Sequence, residues 1–91
     1  MVENVKRRNE TLFGAQIRAA RALLRWSAAE LAEESAVGAN TIRRAESEDG
    51  VTSMTAANQR AIRQALENAG VQFIDENGGG PGVRLSKPTP R

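Results

Sequence analysis

Apolar residues recur at helical spacing near the start of the chain. The recurring positions are Phe13, Ile17, Ala20 and Leu24. Intervals of three or four residues are the period of one helix face, so the pattern predicts a first helix over residues 12–25. Asn9 or Thr11 is the expected cap of this helix, because both residue types accept hydrogen bonds from a first helical turn.

A second helix is indicated by the chemistry around Ser27. Ser27 and Glu30 have the spacing of a capping box, in which each side chain accepts a hydrogen bond from the backbone N–H of the other residue. Trp26 and Leu31 flank this box at the offsets of a hydrophobic staple. Together these residues predict a short helix over residues 28–35.

Glycines and hydroxyl residues divide the following segment into two more helices. Gly38 is suited to cap a third helix over residues 39–47. Thr52 or Ser53 is expected to cap a fourth helix, which runs to about residue 69 and ends at Gly70 in a left-handed conformation. The inner side of the fourth helix is predicted to consist of Met54, Ala61, Ile62, Ala65, Leu66 and Ala69.

The pattern changes after Gly70 from helical spacing to that of strands. Residues 71–74 and 83–85 favour strands, and a glycine-rich loop separates them. The sequence therefore predicts a mainly α fold of four helices with a C-terminal β-hairpin. The expected division is a flexible basic arm at residues 1–10, a helical domain at residues 11–70, the hairpin at residues 71–86 and a disordered tail at residues 87–91.

Composition excludes several classes of protein. The chain has no cysteine and no histidine, so it lacks thiolate metal ligands, the commonest metal ligand and the commonest general acid–base group. We therefore expect no catalytic residues, no metal site and no cofactor. No apolar run has the length of a membrane span, and the N-terminus lacks the apolar stretch of a secretory signal. The expected compartment is the cytoplasm.

The third helix is predicted to have two chemically different faces. With the second helix and the short turn between them it forms a helix-turn-helix. Ile42 and Ala45 lie three positions apart and must face inward, which leaves an outward face of Asn40, Arg43, Arg44 and Ser47. Asparagine can bind adenine and arginine can bind guanine through paired hydrogen bonds, so this face is suited to the major groove of DNA. A polar face that is merely solvated is the alternative.

Glu46 is expected to form an ion pair. It lies one turn after Ile42 on the inward side of the third helix, where an unpaired carboxylate is costly. Arg21, beside Ala20 on the inner side of the first helix, is the plausible partner. The alternative is that Glu46 is exposed at a frayed helix end.

The spacing of these residues resembles that of a known family. The run Ser27-x-x-Glu30-Leu31-Ala32-x-x-Ser35-x-Val37-x-x-x-Thr41-Ile42-x-x-x-Glu46, preceded by Ile17-Arg18-x-x-Arg21, is similar to the phage Cro/repressor-type (XRE-like) helix-turn-helix. The resemblance covers about residues 12–70. It implies a helical bundle, dimeric binding to operator-like double-stranded DNA, and a buried ion pair between Arg21 and Glu46.

The resemblance also implies which residues contact DNA. By family position the base contacts are Ala39, Asn40, Arg43 and Arg44. Ser27 and Thr41 look like phosphate contacts, and Arg18 is expected to join them. The chain departs from the family at Ala36, where glycine is common and backbone strain is therefore expected, and at Ala28 and Ala45, which replace larger residues. A hairpin also stands where the family often has a fifth helix.

Sequence-specific DNA binding by a homodimer that regulates transcription is the function these observations favour. The main alternative is a protein-interaction module on the same scaffold, such as an antitoxin or anti-activator, because the second helix is acidic. Neither function involves a membrane. An enzyme is a distant third, since no nucleophile and base are paired in the sequence.

The hairpin is the expected dimerisation element. Val71, Phe73, Val83 and Leu85 alternate along its strands and form an apolar face that the helical core does not require. An isolated two-stranded hairpin is marginally stable, so two hairpins packed face to face or joined edge to edge would stabilise each other. The alternative is that this face packs onto the fourth helix of its own chain.

Overall fold

The computed structural model describes residues 11–87, and its elements are four helices followed by one antiparallel hairpin. The elements are α1 Gly14–Leu24, α2 Ala28–Ser35, α3 Ala39–Glu46, α4 Ala56–Asn68, β1 Val71–Ile74 and β2 Gly82–Leu85. The predicted mainly α architecture with a C-terminal hairpin is therefore confirmed. The predicted basic arm and all of the predicted tail except Lys87 lie outside the described residues. None of the described helices is long and apolar enough to cross a membrane.

The predicted start of α2 is confirmed in detail. Ser27 Oγ accepts a hydrogen bond from the Glu30 backbone N–H at 3.0 Å, and Glu30 Oε1 accepts one from the Ser27 backbone N–H at 2.7 Å. Gly38 occupies the N-cap of α3, and Gly70 has the left-handed φ of +108° expected after α4. Ala36 also has a left-handed φ, of +61°, which is the backbone strain predicted where glycine is absent.

The starts of α1 and α4 differ from the prediction. Phe13, and not Thr11, is the N-cap of α1, and the Gln16 side chain accepts a hydrogen bond from the Phe13 backbone N–H at 3.1 Å. Asn9, the other predicted cap, lies outside the described residues. Thr55 caps α4 by accepting from the Asn58 N–H at 3.1 Å. Thr52 is used elsewhere: its N–H donates to the Leu12 carbonyl at 3.0 Å. The cap of α4 therefore lies two or three residues later than predicted, and the helix begins at Ala56.

One hydrophobic core joins all four helices and the first strand. Its buried members are Leu12, Ile17, Ala20, Leu31, Val37, Ile42, Ala45, Ile62, Ala65, Leu66 and Val71. Trp26 and Met54 pack against this core from the loops before α2 and α4. Because each helix is short, most of its stability comes from this shared burial and not from helix propensity.

The apolar face of the hairpin packs on the helices of its own chain. Val71 pairs with Leu85, and Phe73 pairs with Val83, so all four side chains lie on one face of the two-stranded sheet. Val71 is only 3% exposed and belongs to the core, while the other three pack against it. The hairpin lies against both α1 and α4.

This arrangement corrects the argument for dimerisation. The prediction assumed that the helical core does not use the apolar face of the hairpin. In the structure this face packs on α1 and α4 of its own chain, which was the alternative. Face-to-face packing of two hairpins therefore loses its premise. Joining of two hairpins edge to edge stays a prediction.

Candidate nucleic-acid interface

A tight three-residue turn connects α2 to α3. Ala36 ends α2, and its N–H donates to the Ala32 carbonyl at 2.8 Å. The buried Ser35 hydroxyl donates to the Leu31 carbonyl at 2.7 Å and accepts from the Val37 N–H at 3.2 Å. The turn is therefore fixed by backbone and side-chain hydrogen bonds, and it places two eight-residue helices in succession.

Helix α3 has the two faces that the sequence predicted. Ile42, Ala45 and Glu46 are buried, whereas the opposite side is exposed. We call this exposed side the α3 polar face; it consists of Asn40, Arg43, Arg44 and Ser47. Ala39 and Thr41, which were also predicted to contact DNA, are half-buried at the start of the helix. Their assignment to DNA stays a prediction.

The side chains of the α3 polar face differ in how far they are engaged within the chain. Arg43 Nη1 donates to Asn40 Oδ1 at 3.0 Å, so two predicted base contacts are bonded to each other. Ser47 Oγ donates to the carbonyl of Arg44 at 2.6 Å. Among residues 11–87, the Arg44 guanidinium has no hydrogen-bond partner, which leaves all of its donors available to a ligand.

The predicted ion pair between Arg21 and Glu46 is present. Arg21 Nε and Nη2 donate to the two carboxylate oxygens of Glu46 at 2.7 and 2.8 Å, and Nη1 donates to the Trp26 carbonyl at 2.7 Å. The hydrogen bonds to Glu46 raise the pKa of the Arg21 guanidinium, against the opposing effect of burial. Helix α1 therefore binds the last turn of α3 through a bidentate contact.

Arg18 is engaged at the same end of α3. Its guanidinium donates to the backbone carbonyl of Glu46 and, at 2.6 Å, to the carboxylate of Asp49. A cation at this position also stabilises the carbonyl end of a helix. The observed role of Arg18 is thus to hold the end of α3, and its predicted contact with phosphate would require it to leave Asp49.

Gly14 is a position that determines how closely α1 approaches α3, and the sequence reasoning missed it. A Cβ atom on Gly14 would lie 1.8 Å from the carbonyl oxygen of Glu48 and 2.4 Å from that of Ala45. The Gly14 N–H also donates to the Gly50 carbonyl at 2.9 Å. An isolated glycine in a helical pattern was the available signal, because such a glycine often marks a close backbone approach.

Helix α1 thus holds α3 at three successive positions along one side. Gly14 allows close backbone contact, Arg18 binds the terminal carbonyl and Arg21 binds the buried carboxylate. All three contacts are at the C-terminal end of α3 and the loop after it, whereas Asn40, Arg43 and Arg44 are exposed. Contacts with α1 therefore fix the position of α3, and the α3 polar face remains exposed.

Acidic side chains lie close to this face in sequence but are placed differently. Glu30 is bound to the Ser27 N–H, and Asp49 is bound to Arg18. Glu33 and Glu34 are exposed on α2.

No protein-family model matches the chain, and no curated protein is significantly similar to it.

Proposed function

We propose that this protein is a helix-turn-helix DNA-binding protein of the phage Cro/repressor (XRE-like) type, acting as a homodimer that regulates transcription in the cytoplasm. The observation that supports this function best is the α3 polar face. It carries Asn40, Arg43 and Arg44 together on a short helix after a tight turn. These are the residue types that bind base edges in the major groove.

In this proposal α3 enters the major groove with its polar face toward the bases. Arg43 and Arg44 supply most of the hydrogen-bond donors, and Ala39 supplies a small apolar contact near the helix start. Ser27 and Thr41 contact phosphates and so set the register of the protein on the duplex. No enzyme chemistry and no cofactor are needed for this function.

The attachment of α3 to α1 supports a reading role over a merely solvated face. A binding surface gains affinity when its side chains are held in place before the ligand arrives. The ion pair of Arg21 with Glu46 and the hydrogen bond from Arg18 restrain the helix, while its outer face stays open. The α3 polar face is therefore preorganised for a ligand.

Homodimerisation is part of the proposal because one helix-turn-helix contacts few base pairs. Two copies related by a two-fold axis would read half-sites one helical turn apart. The apolar face of the hairpin is already packed on α1 and α4. The open edges of its two strands are therefore the part of the hairpin that remains for a second copy.

Binding-site selection from a random duplex library tests the function directly. The full chain should enrich a defined sequence, and its affinity for that site should exceed its affinity for random duplex by about a thousandfold or more at physiological salt. Affinity for both should fall steeply as salt rises, because phosphate contacts release counterions. Failure to enrich any sequence, with no binding to random duplex at low salt, would contradict the proposal.

The second candidate function is binding of a protein partner, as by an antitoxin or anti-activator. The exposed carboxylates of Glu33 and Glu34 on α2 favour it, because they lie on the helix that precedes α3 and oppose approach to phosphates. The double substitution Glu33→Gln with Glu34→Gln separates the two functions. It should strengthen binding to DNA if duplex is the ligand, whereas it should weaken capture of a basic partner protein.

A further inference from the structure

Asn40 and Arg43 are joined to each other on the α3 polar face in the free protein. Nη1 of Arg43 donates to Oδ1 of Asn40 at 3.0 Å. Both side chains are exposed, and residues three positions apart lie on the same side of a helix. The hydrogen bond therefore restrains where the guanidinium of Arg43 lies along α3.

The hydrogen bond leaves one complete edge of the Arg43 guanidinium free. A guanidinium has five N–H donors, and the edge formed by Nε and Nη2 does not include Nη1. The two parallel N–H groups of this edge match the O6 and N7 acceptors of guanine. Arg43 can therefore bind a guanine while it remains bonded to Asn40.

The same hydrogen bond changes what Asn40 offers to a base. To bind adenine with two hydrogen bonds, an asparagine must accept from N6 and donate to N7. Oδ1 of Asn40 already accepts from Arg43 through one of its two lone pairs, so the Asn40 amide is oriented toward Arg43 and not toward a base. The free Nε–Nη2 edge of Arg43 presents two paired donors beside this amide, and these donors match the acceptor edge of guanine.

We propose that Asn40 is a positioning residue for Arg43, and that the two together read one guanine instead of two separate bases. This inference rests on the DNA-binding function proposed above. It differs from the expectation drawn from the sequence, in which Asn40 and Arg43 each contact a base independently. The held guanidinium loses less conformational freedom when it binds, so Asn40 strengthens the preference for guanine without contacting that base.

The experiment is binding-site selection from a random duplex library with the full chain and three variants. Arg43→Ala should abolish the preference for guanine at one base pair. Asn40→Ala should weaken the preference at that same base pair by about three- to tenfold in relative affinity, which is part of the discrimination of a well-placed arginine. Asn40→Asp keeps the acceptor for Nη1, so the guanine preference should be retained although the added charge weakens binding to all DNA.

Asn68→Ala is the matched control. It removes another exposed amide–side-chain hydrogen bond, that from Gln64 Nε2 to Asn68 Oδ1 at 3.0 Å on α4. Base preferences should be unchanged in this variant. Thermal melting should also be unchanged in Asn40→Ala, since its side chain is exposed and outside the core.

Three outcomes overturn the proposal in distinguishable ways. If Asn40→Ala relaxes a different base pair from Arg43→Ala and loses an adenine there, Asn40 reads its own base and DNA binding stands. If Asn40→Ala leaves every preference unchanged, Asn40 does not position Arg43, and DNA binding again stands. If the unaltered chain selects no site, the proposed function fails and this inference fails with it.

Discussion

Arg21 and Glu46 form a bidentate ion pair that joins the last turn of α1 to the last turn of α3. Both carboxylate oxygens accept a hydrogen bond, at 2.7 and 2.8 Å. The two partners are unequally buried, since the side chain of Glu46 is 8% exposed and that of Arg21 is 23% exposed. The pair therefore has a buried member and a member that can reach water.

This asymmetry predicts which partner is more costly to remove. Arg21→Ala leaves a buried carboxylate without its cation and should lower the free energy of unfolding by about 2–4 kcal/mol. Glu46→Ala should cost less, because Arg21 can turn its guanidinium toward solvent. Urea unfolding of both variants measures the difference, with Glu34→Ala as the exposed-glutamate control. Equal costs in the two variants would show that the partners are equally desolvated.

Gly14→Ala should displace α3 or destabilise the fold. The added methyl group would meet two backbone oxygens, those of Glu48 and Ala45, at distances that no flexible side chain can relieve. We expect a loss of at least about 1–3 kcal/mol, which is the range for overpacking a well-packed site. Gly79→Ala is the control, since a Cβ there would have no neighbour within 4 Å. Similar stability of the two variants would contradict the close approach of α1 to α3.

Local signals in the sequence were sufficient to predict the four helices and the hairpin. The capping box of Ser27 with Glu30 and the left-handed Gly70 depend on neighbouring residues only, so their chemistry is visible in the sequence. The pairing of Arg21 with Glu46 was also predictable, because a carboxylate on an inward helix face requires a cation.

Features that depend on distant segments could not be predicted in the same way. The cap of α4 is Thr55 because Thr52 pairs with Leu12, forty residues earlier in the chain. Arg63 is buried in α4 because its guanidinium lies 4.5 Å from the centroid of the Phe73 ring on the hairpin. Helical period indicates which face is buried, but it does not indicate which element covers that face.

Arg44→Ala should reduce binding to a selected site more than binding to random duplex. The Arg44 guanidinium has no hydrogen-bond partner within residues 11–87, so its donors are available for a base. We expect a loss of about 1–3 kcal/mol on the selected site and relaxed preference at one base pair. Fluorescence anisotropy with both duplexes measures the effect, and Arg84→Ala on β2 is the exposed-arginine control.

The balance between the two duplexes identifies what Arg44 contacts. An equal loss on selected and random DNA would make Arg44 a phosphate contact, because phosphates are present at every sequence. An unchanged affinity for both would remove the α3 polar face as the reading surface.

The apolar face of the hairpin should stabilise the fold of a single chain, and it should not form an interface between two chains. Val71 is 3% exposed and lies in the same core as the helices, so Val71→Ala should lower the free energy of unfolding by about 1–3 kcal/mol. Val51→Ala makes the same change at a residue that is 54% exposed, and it should cost no more than about 0.5 kcal/mol.

Protein concentration distinguishes packing within one chain from packing between two. A cost that arises within one chain is the same at every concentration, whereas an interface between copies makes the melting temperature depend on concentration by mass action. We therefore expect Val71→Ala to lower the melting temperature by the same amount at two protein concentrations about 100-fold apart. A difference that shrinks on dilution would place Val71 at a dimer interface, because the stabilisation that such an interface supplies is lost when the copies dissociate. In that case the apolar face of the hairpin, and not its edges, would join the two copies on DNA.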